Sequence, residues 1–372
     1  MSSSRWKPAV VGLALAASTV FAGDLPLPRI DFPGDSPVAL LGSDYSGSSE
    51  TARGSAMVLD LRAALTLRNI SGSRIRGITL LVEAPGVTPG GKASVTLPSL
   101  SVAPGDSFPV RLDLRLLRPA QALGTAAVSI RLDGILFDDL RFFGPDRLNS
   151  RRALTAYELE ARRDRRYYQG LLDGGVEKLR QGVLAALSRG VSQPGVEAQL
   201  IHAGPATNLP PGRELAFQFV DVSGSPVQPQ EGFATVAGNE ARAPRLEVRN
   251  RSNRTIRWVE LGWILRDRQG RETPAGTIPA EVFLAPGEQR DILKDVTLRF
   301  PSRPGAPVDI AGLTGYVSSV EYADGAMWVP PRSVLSDPLL SRAMPPSPEE
   351  QRLLEIYRRK GMAALVAELR RP

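Results

Sequence analysis

The sequence predicts a mainly β protein: two antiparallel β-sandwiches, a helical connector between them and a helix at the C-terminus. Three observations lead there. An ordered set of short segments occurs twice, each copy alternates apolar and polar residues between turn signals, and two stretches of helical periodicity fall outside the copies. The chain has 372 residues, of which 42% are hydrophobic, enough to fill two cores. Gly 35 and Pro 32 are spread along the chain, as many short strands joined by turns require.

Residues 1–22 read as a secretory signal. Arg5 and Lys7 precede the apolar run Ala9–Ala17, and Val20-Phe21-Ala22 places small residues at a cleavage spacing. Ser18 and Thr19 interrupt that run, which falls short of the roughly 20 residues that span a bilayer. Cleavage after Ala22, a periplasmic or secreted location in a bacterium and a mature chain without a transmembrane segment are the expectations. The absence of cysteine excludes disulfides, thiolate metal sites and a lipidated cysteine anchor.

The first sandwich is expected over 24–146 and the second over 196–335. Leu65-Thr66-Leu67-Arg68-Asn69-Ile70-Ser71 is matched by Leu246-Glu247-Val248-Arg249-Asn250-Arg251-Ser252, and Ile75–Leu80 by Ile256–Leu261. Val102-Ala103-Pro104-Gly105-Asp106 meets Leu284-Ala285-Pro286-Gly287-Glu288, and Asp113–Leu116 meets Asp295–Leu298. Asp44–Ser48 is aligned with Asp221–Ser225 at one end, and Ile135–Asp139 with Val320–Asp324 at the other. Leu65 with Leu67, and Leu246 with Val248, sit at period two. Asn-x-Ser supplies a turn, and Ala-Pro-Gly followed by an acid supplies a tighter one.

The run from Asn250 through Leu265-Arg266-Asp267-Arg268-Gln269-Gly270, closing on Leu284-Ala285-Pro286-Gly287-Glu288, resembles the exported β-sandwich domains of FxLYD type. The resemblance implies two Ig-like antiparallel β-sandwich domains of a bacterial envelope protein, without an implied chemistry. The first copy departs from it, having Ala84-Pro85-Gly86 and Pro89-Gly90-Gly91 where the second has its Asp-x-x-Gly turn.

The connector, 147–195, begins with a charged stretch from Glu158 to Arg166 and is interrupted at Asp173-Gly174-Gly175. Leu172, Val176, Leu179, Val183 and Leu187 then recur on one helical face. In the tail, 336–372, Ser347, Pro348 and Glu350 form a capping box, and Leu353, Leu354, Tyr357, Leu365 and Leu369 give an apolar side with a break at Gly361.

Catalytic groups are scarce. His202 is the single histidine, no Gly-x-Ser-x-Gly elbow accompanies it, and Asp138-Asp139 fall in a hairpin turn. No cofactor, no metal and no enzymatic activity are expected, nor a nucleic-acid partner for an exported chain. The net charge of +7, about +5 after signal removal, permits an anionic polymer as partner. The remaining signal is aromatic. If Val259, Leu261, Trp263 and Leu265 face the core, Trp258, Glu260 and Ile264 face outward. Arg257, Trp258, Tyr316 and Trp328 are therefore the candidate binding residues. The expected function is non-catalytic binding or scaffolding to another envelope protein or an envelope polymer through sheet edges and helix faces, with carbohydrate binding on those aromatics as the alternative. Packing of a helix on the same aromatics competes with that alternative.

Overall fold

A computed structural model describes residues 28–53, 56–83, 92–119, 128–189, 196, 198–202, 212–293, 296–301 and 308–371. The expected signal, 1–22, and the Ala84–Gly91 turns lie outside the described residues, as does the side chain of His202. The first strands are β1 (Arg29–Asp31), β2 (Val38–Asp44), β3 (Ser49–Arg53), β4 (Ala56–Asn69) and β5 (Ile75–Glu83). They are followed by β6 (Lys92–Leu97), β7 (Ser107–Pro119), β8 (Ser129–Phe137) and β9 (Phe142–Phe143). Two helices come next, α1 (Ser150–Asp173) and α2 (Val176–Ser188). The second set of strands opens with β10 (Gln199–His202), β11 (Arg213–Ala216), β12 (Gln218–Phe219), β13 (Val227–Ala237), β14 (Glu240–Asn250) and β15 (Ile256–Asp267). It closes with β16 (Glu272–Leu284), β17 (Gln289–Ile292), β18 (Val296–Arg299), β19 (Ile310–Tyr322) and β20 (Met327–Trp328). A 3-10 turn, Arg332–Ser336, then α3 (Pro338–Ala343) and α4 (Pro348–Leu369) complete the chain.

The fold is mainly β. By contact the chain divides into residues 1–72, 79–95 and 102–132 on one side and 73–78, 96–101 and 133–372 on the other. The second unit thus takes the helices and the whole second sandwich together.

In the first sandwich β4 is the centre of one sheet, pairing with β2, β3 and β7, while the other sheet runs β1-β8-β5-β6 with β9 on β8. Burial along β4 alternates residue by residue, with Leu61, Leu65 and Leu67 inside and Arg62, Thr66 and Arg68 outside. The second sandwich has sheets β10-β18-β14-β13-β11 and β12-β19-β15-β16, with β17 on β14 and β20 on β19. Its core is built on Trp263, fully buried, with Phe217 edge-on at 5.2 Å.

The two frames are hydrogen-bonded alike. Asn69 and Asn250 are fully buried, and each Oδ1 accepts from the backbone N–H and hydroxyl of the serine two residues on. Their Nδ2 groups donate to the carbonyls of Val102 and Leu284 respectively. The backbone of Asn69 exchanges bonds with Gly105 and Asp106, as that of Asn250 does with Gly287 and Glu288. Both sandwiches also carry one short parallel pairing, β1 with β8 and β12 with β19.

One expected correspondence is out of register. Ser225 caps β13 by donating to Val227 O and accepting from its N–H, and the residue that does this in the first copy is Ser36, towards Val38. Asp44–Ser48 is instead a turn between β2 and β3, held by the Ser46 N–H on Asp44. The mate of Asp221–Ser225 is therefore the stretch ending Ser36-Pro37-Val38, displaced because a serine-containing turn occurs at both places.

The helices are joined by apolar contacts and by ions. Tyr168, Leu179, Val183, Leu353, Leu365 and Leu369 bury together from α1, α2 and α4. Asp133 caps the entry to α1, accepting from the N–H groups of Arg147 and Leu148 and from the Ser150 hydroxyl. Ser347 caps α4 as expected, accepting from the Glu350 N–H at 3.1 Å. The Glu350 carboxylate does not close a box. It accepts from Tyr168 at 2.8 Å, from Arg332 at 2.7 Å and from Arg189. Nearby, Asp164 receives Arg163 and Arg332, both at 2.9 Å, and the Ser347 hydroxyl at 2.6 Å. Gly361 (φ 78) kinks α4.

Candidate functional site

The expected aromatic platform is not open. On β15, Trp258 faces away from the core, but the guanidinium of Arg152 from α1 lies 3.5 Å above its ring. Arg152 is steered there by Glu321, whose carboxylate is 3% exposed and also takes Arg151. The Trp258 indole N–H is buried without a hydrogen-bond partner among the described residues. Tyr316 is 2% exposed and sits over the backbone of Gly262, where an added Cβ would lie 2.1 Å from the ring. It packs with Val222, Ile264, Leu340 and Met344 beneath α3, and burial pushes its hydroxyl well above the ordinary tyrosine value. Trp328 is half-buried and packs against that cluster and the sandwich core. Arg257 alone of the four is exposed, and it lines a groove.

The groove follows from how the second copy departs from the first. In the first sandwich β7 pairs with β4 without interruption from Ser107↔Arg68 to Pro119↔Ala56. In the second, the strand in that place is split. Among the described residues, which do not include 294 and 295, β17 covers Leu246–Arg249 of β14 and β18 covers Glu240–Arg242, leaving Ala243-Pro244-Arg245 between them. Pro244 has no N–H to give to a ladder, and both Ala243 (φ 44) and Leu293 (φ 60) adopt left-handed backbone around the break.

Beside the break lies a groove of about 550 Å³. Leu200, Ala280, Val282, Ile292 and Val296 give it apolar walls, and Arg257, Arg290 and Glu281 stand among its polar groups. One wall is the stretch Pro279–Phe283 of β16. That strand ends its sheet and pairs only with β15 among the described residues. Ala275 O is taken by the N–H of Ala198, so the unpaired edge begins beyond it. Alternation along β16 puts Ala280, Val282 and Leu284 inward and leaves Phe283 63% exposed. The turn after β16 is fixed by Glu288. Its carboxylate accepts from the Ala285 N–H and from Arg290, which together hold it below the usual carboxylate range.

No protein-family model and no curated protein matches the chain. Among solved structures, a β-glucosidase from Kluyveromyces marxianus is similar over 71% of this chain and 45% of its own, at 10% identity and a TM-score of 0.14. The chain thus spans less than half the length of that protein. A bacterial adhesin from Mobiluncus mulieris, with intramolecular disulfide, isopeptide and ester cross-links, is similar over 77% of this chain and 98% of its own, at 8% identity and a TM-score of 0.16. An allantoicase follows over 74% of this chain and 82% of its own, at 9% identity and 0.09. Likenesses this low carry no argument about function.

Chemistry at the groove is correspondingly plain. No group of three or more metal-ligating side chains occurs among the described residues, and no described helix is long and apolar enough to cross a membrane. What the groove offers is a main-chain edge unpaired among the described residues, an apolar floor and a few flanking charges. Sequence reasoning found Arg257 there but missed Phe283 and the break at Pro244. The signals were present: an outward Phe between inward Val282 and Leu284, and a proline inside the strand that carries Asn250.

Proposed function

We propose that this chain is an exported, non-catalytic binding protein whose second sandwich accepts an extended polypeptide segment by strand addition to β16. The observation that carries the reading is the edge from Thr277 to Leu284, unpaired among the described residues, alongside the apolar groove. An added strand satisfies its backbone on that edge, and its alternate side chains fill the space between the two sheets. Exposed Phe283 supplies an aromatic anchor of the kind that dominates such interfaces. The basic start and short apolar run of residues 1–22 support export, and another envelope protein is then the fitting partner.

A photocrosslinking residue at position 283, used in the native host, identifies the segment that docks. A synthetic peptide of that segment should protect the amides of Thr277–Leu284 from exchange, and Phe283→Ala should weaken it by about tenfold or more. Peptide binding that leaves these amides unprotected and is indifferent to Phe283→Ala would overturn the reading.

A further inference from the structure

We infer that a second pocket, in the helical part of the chain, binds a small monoanion: one carboxylate on a hydroxylated body. The pocket holds about 510 Å³ and is walled by α1, α2, the 3-10 turn and α3. Sites for small ligands fall in this size range. Small residues, Gly182, Ala185 and Ala186, line its α2 side, and Gly182 also lets α2 lie close against α1, where a Cβ would come within 2.3 Å of Leu171 Cδ1.

The polar lining is specific. Arg189 and Arg332 both face the pocket, with Tyr167 and three serines, Ser333, Ser336 and Ser341. Arg332 is fixed, with one terminal nitrogen on Asp164, the other on Glu350 and its guanidinium 4.6 Å from the centre of the Tyr167 ring. Arg189 commits one terminal nitrogen to Glu350, and its side chain is 17% exposed. The ion pairs that join these groups connect three guanidiniums, Arg163, Arg189 and Arg332, to only two carboxylates, Asp164 and Glu350. The remaining acid beside Arg163 is Glu160, which burial pushes up to about 7 and so leaves only part-charged at neutral pH. Guanidiniums thus outweigh the carboxylates here, and Arg189 and Arg332 are the two that line a described cavity. A planar carboxylate matches a guanidinium in shape and charge, and the serine hydroxyls suit a ligand that carries hydroxyls of its own.

Calorimetric titration of the full chain with D-glucuronate tests this, with D-glucose and inorganic phosphate as the contrasting arms. Glucuronate should bind at least about tenfold more tightly than glucose and more tightly than phosphate. Ser336→Trp fills the pocket from an exposed position that makes none of the ion pairs, and should cost about tenfold or more in glucuronate affinity with an unchanged circular-dichroism spectrum. If that variant does not fold, Ser333→Trp reads the same loss. Glucuronate binding no better than glucose, saturation by phosphate instead, or unchanged binding by a folded pocket-filling variant would each overturn the assignment. None of these outcomes depends on the β16 groove.

Discussion

The two sandwiches share a frame and differ at one edge. In each, a buried Asn bonds a serine turn on one side and the Ala-Pro-Gly turn on the other, so the same polar residues hold the same backbone. Among the described residues the strand across from that Asn is continuous in the first copy and broken in the second, and the groove lies at the break. The equivalent pairs Arg76 and Arg257, and Gly77 and Trp258, have parted in the same way. Arg76 is half-buried, 3.0 Å from Glu158 of α1, whereas Arg257 is exposed at the groove. Duplication conserved what folds the module and left its edge and outer face to diverge.

The sharpest test of that separation is acid, because the Asn frames carry no titratable group and the helical seam holds several buried acids, Asp164 and Glu350 at its centre. Burial alone would raise the carboxyls of Asp164 and Glu350. Hydrogen bonds and charges from Arg163 and Ser347 on the first, and from Arg332, Arg189 and Tyr168 on the second, more than reverse this, so both sit below the usual range. A carboxyl depressed in the folded state stabilises fully above its unfolded value, about 4, and ceases to do so as pH falls through the folded value. Exchange protection in α1 and α4 should therefore weaken progressively as pH falls below about 4 while the sandwich strands stay protected. Glu350→Gln leaves Arg189 and Arg332 under-paired and should cost about 3 kcal/mol or more at pH 7, measured by denaturant unfolding, with a flatter acid limb. Simultaneous loss of strands and helices in acid would show that frame and seam are one cooperative unit.

Much of the frame was legible from the sequence because it rests on local signals. Period-two burial at Leu65 and Leu67, the Asn-x-Ser turns and the Ser347 cap each need only a few neighbouring residues. The seam was not legible for the opposite reason. Glu158, Asp164 and Glu350 look like ordinary solvated charges, and partners 18 to 183 residues away help make them buried ions, as Arg332 does for Glu350 and Asp164. The candidate site was half legible. Alternation placed Trp258 and Ile264 correctly on the outer face of β15, but it has no term for what covers that face, here Arg152 and α3. The groove needed the break at Pro244 to be read against the unbroken Ala63, a comparison that the repeat made available.

A change of intermediate size bears on the outer face of the first copy. At Gly77 an added Cβ would meet Leu154 Cδ2 of α1 at 2.7 Å and the Leu97 carbonyl at 3.4 Å. The carbonyl contact is an ordinary one, so the strain falls on Leu154, which is 1% exposed and packed on all sides. Gly77→Ala should therefore cost about 1–3 kcal/mol, the usual range for overpacking a filled site. Thermal unfolding measures it, and Leu154→Ala in the same chain should recover part of the loss. Full tolerance of alanine would mean that α1 does not pack on residue 77 in solution, and that the outer faces of the two copies differ less than their residues suggest.

The smallest effect asks whether the break in the second copy is built into its backbone. Ala243 holds φ 44 beside Pro244, a conformation that costs a residue with a Cβ about 1 kcal/mol and glycine nearly nothing. Its counterpart Arg62 lies in the unbroken β4, paired with Asp113 of β7. Glycine is unfavourable in such a strand by about 0.5–1 kcal/mol. The same substitution should thus have opposite signs in the two copies, with Ala243→Gly stabilising by about 0.5 kcal/mol and Arg62→Gly destabilising by about as much. Denaturant midpoints of the two variants resolve the difference. Destabilisation by both would mean that β14 relaxes to a regular strand at Ala243, and that the groove follows from Pro244 and the split of β17 from β18 alone.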